Sequence, residues 1–164
     1  MVFALIVYFW ILILFYLPGY VLTGLGLYAI GSRRGIEQPW RAWIPGVKLW
    51  LIGCISDQYQ AIVVGKQKYK RLYLLGFLLA EILLIAIMVL ASGGHQRMLF
   101  QILSIFQIAV VLTLAVIGYL ALYDVYRSCN PRRAELYQVL SILFPVTVPV
   151  FLFLCRKKDL GFPL

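Results

Sequence analysis

One carboxylate in the middle of a long apolar run is the residue with the most direct chemical potential. Glu81 is the only charged side chain between Leu72 and Ala91. An ionised carboxylate at the centre of a bilayer costs ~2.5–3.5 kcal/mol on insertion scales, so Glu81 should be protonated, paired or beside water. A carboxyl group placed in this way suits either a proton or cation relay or a polar clasp between two helices.

Gln107 and Ser104 are the polar side chains that can meet Glu81. A six-residue break from Ser92 to Arg97 separates the run that holds Glu81 from the next apolar run, so the two runs should form an antiparallel hairpin. Glu81 lies eleven residues before Ser92 and Gln107 lies ten residues after Arg97. We therefore predict a hydrogen bond between Glu81 and Gln107, with Ser104 one turn away. The clasp is the favoured interpretation, because no basic residue accompanies Glu81 within its run.

A connector rich in tryptophan, residues 33–71, separates the first two apolar runs. Helical spacing places five of its residues along one stripe, and Pro45 divides the segment into two short pieces. Tryptophan favours the headgroup level of a bilayer. We predict that residues 39–64 lie in the membrane interface; a re-entrant segment and an irregular loop packed on the helix ends are the alternatives. The stripe consists of Trp40, Trp43, Val47, Trp50 and Cys54.

Acidic and basic residues complete the connector. Asp57, with Ser56 beside it, is predicted to cap the next short helix. A basic cluster at the mouth of the second apolar run is predicted to contact anionic lipid headgroups, at ~1 kcal/mol per residue, or an acidic partner. Further along the chain, Asp124 and Arg127 are expected to form an ion pair on one helix face. The candidate lipid- or partner-contact residues are Trp40, Trp43, Trp50, Asp57, Lys66, Lys68, Lys70 and Arg71.

The sequence lacks the motifs of several function classes. The three cysteines, Cys54, Cys129 and Cys155, form no CxxC pair, and the only histidine, His95, is far from them. Phosphate-binding loops, metalloprotease helices and hydrolase elbows are absent as sequence patterns. We therefore expect no catalytic residue, no cofactor and no metal. The basic residues lie between apolar runs, so that lipid is a better partner for them than nucleic acid.

Four apolar runs must position these residues. The chain of 164 residues is 63% hydrophobic and 13% charged, with a mean hydropathy of +0.94, whereas ordinary globular domains are about 25% charged. Residues 1–32 carry no charge, and about 20 apolar residues span a bilayer core. We predict a single-domain, all-α integral membrane protein with four transmembrane helices, over 2–30, 72–91, 98–123 and 136–155. The last contains Pro145 and Pro149; a full crossing is favoured over a re-entrant hairpin.

The distribution of basic residues predicts the orientation. The first connector holds eight Lys and Arg residues and the third holds three, whereas the second holds only Arg97. Because basic connectors stay on the cytoplasmic side, the main basic connector should be cytoplasmic and the amino terminus outside. The first run reads as a permanent span rather than a cleaved signal, since it is longer than a signal core. The expected location is the plasma membrane.

Two stretches of the chain, together about a third of the sequence, carry a pattern of their own. They are Arg33–Ile36, Pro39–Trp40, Ala42–Pro45, Leu49–Trp50 and Ile55–Tyr59 in the connector, and the basic tail Arg156–Pro163. Both stretches resemble a family of small bacterial multi-pass membrane proteins without an assigned activity. The resemblance implies a similar architecture and a bacterial plasma membrane, and it implies no reaction.

The placement of polar residues favours a non-enzymatic role. Most of them lie in the connector over 33–71 and few lie inside the apolar runs. This pattern is typical of a scaffold or accessory subunit that contacts lipid and either another membrane protein or a second copy of itself. The alternative is a small oligomeric proton-coupled transporter or channel that uses Glu81.

Overall fold

The fold is all-helical. The computed structural model describes residues 2–65, 68–91 and 97–158, with the side chains of 16–65, 68–90, 98 and 100–158, and no strand occurs in these ranges. A 3-10 turn over Pro39–Trp43 precedes α2, and a π-helical turn over Gln60–Val64 follows it. The α-helices are α1 (Val2–Arg33), α2 (Val47–Tyr59), α3 (Lys70–Ala91), α4 (Arg97–Cys129), α5 (Ala134–Leu143) and α6 (Thr147–Cys155).

Long helices correspond to the first three predicted spans. Within the described side chains, two segments are long and apolar enough to cross a membrane, Lys70–Leu90 and Phe100–Cys129. Helix α1 continues through Pro18 for 32 residues. Helix α4 runs six residues past the predicted end at 123. The sequence-based prediction ends the span before the charged Asp124. In the bundle this charge is paired with Lys70, and the helix continues beyond it.

The connector after α1 folds back along that helix. A Cβ placed on Gly31 would lie 3.6 Å from Pro39, and one on Gly24 would lie 3.0 Å from the Trp43 ring. The hydroxyl of Tyr20 donates a hydrogen bond to the Trp43 carbonyl oxygen. Between Pro39 and Trp43 the chain therefore travels from the end of α1 towards its middle.

Helix α2 then returns in the opposite direction, antiparallel to α3. Gly46, which has a φ of +83°, faces Leu78 at the turn, and Gly53 lies directly against the Arg71 backbone. The Asp57 carboxylate accepts a hydrogen bond from the Lys70 backbone N–H. Residues 39–59 thus form a hairpin, the first hairpin, whose tip is Ile44–Gly46. Both of its ends lie at one end of the bundle, which we call the base.

Burial of α2 corrects the prediction of an interfacial helix over 39–64. Six consecutive residues, 51–56, are buried, whereas a helix that lies in a membrane interface buries one face only. Helix α2 is instead enclosed by α1, α3 and α4. Residues 39–59 are therefore a hairpin packed within the bundle.

The prediction of one crossing helix over 136–155 is wrong. The chain forms α5 and α6, separated by a break at Phe144–Val146. The rings of Tyr137 and Phe151 stack with centroids 4.5 Å apart, although 14 residues of straight helix would separate them by ~21 Å. Pro145 has no N–H to donate and interrupts the helix, whereas Pro149 is tolerated in the first turn of α6. Residues 134–155 are therefore a second hairpin.

Close packing seats the second hairpin against α1 and returns it to the base. A Cβ on Gly26 of α1 would lie 2.7 Å from the Leu152 carbonyl group, so the two backbones touch. Leu152 and Cys155 of α6 belong to one buried cluster with Cys129 at the end of α4. The two hairpins thus fill the base half of the bundle between α1 on one side and the α3–α4 pair on the other.

Candidate functional site

A buried carboxylate organises the base of the bundle. Asp124 is only 4% exposed. Its carboxylate oxygens accept hydrogen bonds from Ser56 Oγ at 2.5 Å, Gln60 Nε2 at 2.9 Å and Lys70 Nζ at 2.6 Å. A buried charge is tolerated when it is paired and fully hydrogen-bonded. Asp124 therefore ties α2, the turn after it, the start of α3 and α4 together.

Arg34 is the second buried charge, 1% exposed, and it lies just past the end of α1. Its Nη2 donates to Ser128 Oγ at 2.6 Å, and its Nη1 donates to the Ile55 carbonyl oxygen at 3.4 Å. Its own carbonyl oxygen accepts a hydrogen bond from Gln58 Nε2 at 3.3 Å. Together with the partners of Asp124 these contacts form the base network, which consists of Arg34, Ser56, Gln60, Lys70, Asp124 and Ser128.

The predicted Asp124–Arg127 ion pair is wrong. Asp124 pairs with Lys70, and the Arg127 side chain is exposed. The sequence does hold a signal that was missed, because residues four apart on a helix share one face. Ser56 and Gln60 have this spacing on one segment, and Asp124 and Ser128 have it on another. Two polar faces of this kind indicate a buried polar contact between elements.

Asp57 caps a helix, but a more distant one than the spacing predicts. Its carboxylate accepts the backbone N–H groups of Lys70 at 2.8 Å and Arg71 at 3.2 Å, the first residues of α3. Arg71 Nε lies 4.0 Å from the same carboxylate. Asp57 lies at the base, outside the two membrane-length helices. Burial raises the pKa of its carboxyl group, and the N–H donors and the nearby positive charges oppose this rise only in part.

Four of the predicted contact residues meet at an open cleft at the base, the connector cleft, with a volume of about 520 Å³. Trp50, Asp57, Lys68 and Arg71 line it. The Arg41 guanidinium lies over the Trp50 ring, 4.7 Å from its centroid. Lys66 lies outside the described residues. The other lining residues are Arg34, Gly35, Ile36, Glu37, Cys54, Gln58, Ala61 and Tyr69.

The remaining predicted contact residues lie elsewhere, so the single tryptophan stripe is wrong. Trp40 is 53% exposed on the 3-10 turn, and Trp43 packs against Gly24 of α1. Lys70 is part of the base network, whereas Cys54 of the stripe lies with Trp50 at the connector cleft. The tip at Ile44–Gly46 separates the two halves of the stripe and points them to different neighbours.

The predicted contact between Glu81 and Gln107 is present. Gln107 Nε2 donates to Glu81 Oε1 at 2.9 Å and joins α3 to α4. Ser104 Oγ instead donates to the Phe100 carbonyl oxygen of its own helix. Glu81 Oε2 is buried and has no hydrogen-bond partner among the described residues. This geometry is that of an interhelical clasp with one oxygen left over.

A second cleft, the tip cleft, lies where both hairpin tips meet the middle of α1, and its volume is about 470 Å³. Its lining is predominantly apolar. Helices α2 and α6 both begin there, so the positive ends of their dipoles add to the local potential. The lining residues are Tyr16, Pro18, Gly19, Tyr20, Leu22, Thr23, Lys48, Pro145, Val146, Pro149 and Val150.

The described residues contain no group of three or more His, Cys, Asp or Glu side chains that could hold a metal ion. Cys54, Cys129 and Cys155 are buried and form no disulfide among the described residues. Comparisons with protein-family models, curated proteins and solved structures found no match to this chain. The function is therefore argued from the geometry alone.

Proposed function

We propose that this chain is an integral protein of a bacterial plasma membrane that acts as a non-enzymatic accessory or scaffold subunit and docks a transmembrane helix of a partner protein. The observation that carries the proposal is the contrast between the two halves of the bundle. The base half is closely packed and joined by the base network. The other half of the α3–α4 pair, residues 79–91 and 97–113, has no such surroundings, and we call it the outer arm.

Exposure of the outer arm is nearly complete. Helix α3 passes the start of α2 at Leu78, and only Leu84 and Val110 are buried among the described side chains of the outer arm. Its exposed residues are large and apolar, for example Ile105 at 70%. A continuous apolar surface of this extent marks a membrane or protein contact. Because α1 packs on α2, the 3-10 turn and α6, a helix from a neighbour has room beside the arm.

The two hairpins make the orientation self-consistent. Four complete crossings would leave the three basic tail residues on the side of Arg97. With the second hairpin re-entrant, fourteen of the fifteen Lys and Arg residues lie in the two cytoplasmic connectors, the hairpins that enter from them and the tail, and only Arg97 lies in the opposite connector. This asymmetry is what the positive-inside rule favours. The amino terminus is then outside, and the base faces the cytoplasm.

In this orientation the connector cleft lies at the cytoplasmic surface of the bilayer. Lys68 and Arg71 are exposed beside Trp50, while Asp57 is engaged by the start of α3. Basic side chains next to an aromatic residue at this level attract anionic headgroups. We assign the cleft the role of a lipid contact that fixes the depth of the protein, and the outer arm the role of partner docking.

Photocrosslinking in native membranes tests partner docking. A photoreactive amino acid in place of Ile105 should yield a discrete adduct with a second protein, because this side chain points away from the bundle. The matched control is Leu136 on α5, which is similarly apolar and 56% exposed but lies in the base half. A discrete protein adduct at Ile105 and none at Leu136 supports docking. Adducts with lipid alone at both positions would contradict it.

One observation favours a second candidate, a proton-coupled carrier. Glu81 Oε2 is buried with no described hydrogen-bond partner, and ionisable residues inside a membrane span often mark proton or ion pathways. A relay requires further titratable groups, and the contact described for Glu81 is the neutral Gln107. Proton-driven flux by the parent protein in vesicles, lost in Glu81→Gln, would support the carrier. If the parent protein shows no flux and Glu81→Gln still assembles in the membrane, the clasp is supported.

A further inference from the structure

Lys48 is a cation in apolar surroundings. It is the second residue of α2, directly after the tip of the first hairpin, and among the described residues it is the only charged one that lines the tip cleft. Its ammonium group lies 5.2 Å from the centroid of the Tyr20 ring. No ion pair with Lys48 occurs among the described residues, whereas Lys70 at the base is paired with Asp124.

Helix geometry places this cation deep in the bundle. Lys48 lies nine residues before Asp57 on α2, which corresponds to ~13 Å from the base. Tyr20, its ring partner, lies thirteen residues before Arg33, or ~20 Å along α1. A hydrocarbon core is ~30 Å thick, so that both distances put Lys48 near the bilayer centre. A charge at that depth without a counter-ion is expensive and typically marks a binding site.

We propose that the tip cleft binds an anionic single-chain amphiphile, with the acidic head on Lys48 and the alkyl chain along the apolar wall. Charge complementarity selects the head, because the ammonium supplies the counter-ion that the described residues do not. The apolar lining by Pro18, Leu22, Val146 and Val150 selects the chain. The volume of about 470 Å³ falls in the range of ~300–1,000 Å³ that small-ligand sites occupy.

The break residues explain why such a site can exist at this depth. Irregular backbone inside a bilayer is tolerated only where protein encloses it or where it lines a cavity. Both breaks, Ile44–Gly46 and Phe144–Val146, lie at or beside the tip cleft. Backbone groups at the breaks are hydrogen-bonded within each turn: the Lys48 N–H donates to the Ile44 carbonyl oxygen, and the Thr147 N–H donates to the Phe144 carbonyl oxygen. Two interrupted helices that meet at mid-depth are the arrangement that membrane proteins use to build binding sites.

Photolabelling of the purified protein in nanodiscs tests this proposal. The probe is a twelve-carbon fatty acid with a diazirine on its chain, and the labelled peptides are identified by mass spectrometry. We expect labels on residues 16–23 and 145–150, and competition by lauric acid and dodecyl phosphate. Dodecanol and dodecyltrimethylammonium should not compete. Because charge-assisted contacts dominate head recognition, Lys48→Met should weaken labelling about tenfold and Lys48→Arg should retain most of it.

Lys158→Met is the matched control, because Lys158 is exposed just past the end of α6, lines neither cleft, and should not alter the label. A folding control is the thermal transition of each variant, which should stay at the parent value. Equal labelling of residues 16–23 and 145–150 in Lys48→Met and in the parent protein, equal competition by the neutral or cationic amphiphile, or labels found only outside the tip cleft would each overturn the proposal. The inference requires a bilayer but no protein partner, so failure of the crosslinking experiment at Ile105 leaves it intact.

Discussion

Replacing Asp124 by alanine is expected to destabilise the folded protein by ~3–5 kcal/mol, the usual cost of removing one partner from a buried ion pair. The substitution leaves the Lys70 ammonium without its carboxylate and removes the acceptor of Ser56 Oγ and Gln60 Nε2. All three donors are buried or half-buried at the base. For a chain of this size the loss corresponds to a fall of about 6–20 °C in the midpoint of thermal unfolding.

The buried thiols supply the measurement. Cys54, Cys129 and Cys155 are buried at the base, so a maleimide should react with them only as the base opens. We expect the temperature of half-maximal labelling in detergent to fall for Asp124→Ala and less for Asp124→Asn, which keeps an acceptor for Ser56. Glu135→Ala, on the exposed first turn of α5, is the control and should leave it unchanged. Equal labelling curves for Asp124→Ala and Glu135→Ala would show that the base network does not hold the fold together.

The second large effect is expected at two glycines where backbones touch. A Cβ on Gly53 would lie 2.5 Å from the Arg71 Cα, and one on Gly26 would lie 2.7 Å from the Leu152 carbonyl carbon. Neither neighbour is a flexible side chain, so each Gly→Ala substitution must push a hairpin away from its supporting helix. Overpacking of this kind costs ~1–3 kcal/mol, occasionally more. The same thiol-labelling measurement should therefore show a lower midpoint for Gly53→Ala and for Gly26→Ala.

Two further glycines provide controls of opposite sign. Gly76 in α3 and Gly118 in α4 have no atom within 4 Å of an added Cβ. Alanine is favoured over glycine in a helix interior by up to ~1 kcal/mol, so Gly76→Ala and Gly118→Ala should be neutral or stabilising. Equal shifts of the thiol-labelling midpoint for all four substitutions would contradict the close backbone contacts of the hairpins with α1 and α3.

The long helices follow directly from the sequence, because an uninterrupted apolar run has one low-energy form in lipid. The predicted segment 72–91 matches α3 closely, and the register of the α3–α4 pair was accurate enough to bring Glu81 to Gln107. Counting residues from a short connection is sufficient here, since both helices are regular. The Glu81–Gln107 contact depends only on this register across one short connection, and it is confirmed.

The hairpins were harder to predict, because apolar content does not distinguish a crossing helix from two short ones that fold back. Residues 136–155 are as apolar as a true span, and only Pro145 signals the break. Whether the chain then continues or returns depends on partners far along the sequence, such as Tyr126 against Phe151 and the Gly26 contact on α1. The same limit applies to Asp124, whose ion partner Lys70 is 54 residues away. Local spacing favoured Arg127 instead.

Labelling of the tail tests the re-entrant architecture most directly. The background protein has Cys54, Cys129 and Cys155 replaced by alanine. Three variants of it each carry one new cysteine, from Lys157→Cys, Arg132→Cys or Met98→Cys. Intact cells that express each variant are treated with a membrane-impermeant maleimide. We predict labelling of position 98 in intact cells, and labelling of positions 132 and 157 only after the membrane is permeabilised. Labelling of position 157 together with 98 in intact cells would place the tail across the membrane from the base and would contradict the two-hairpin account.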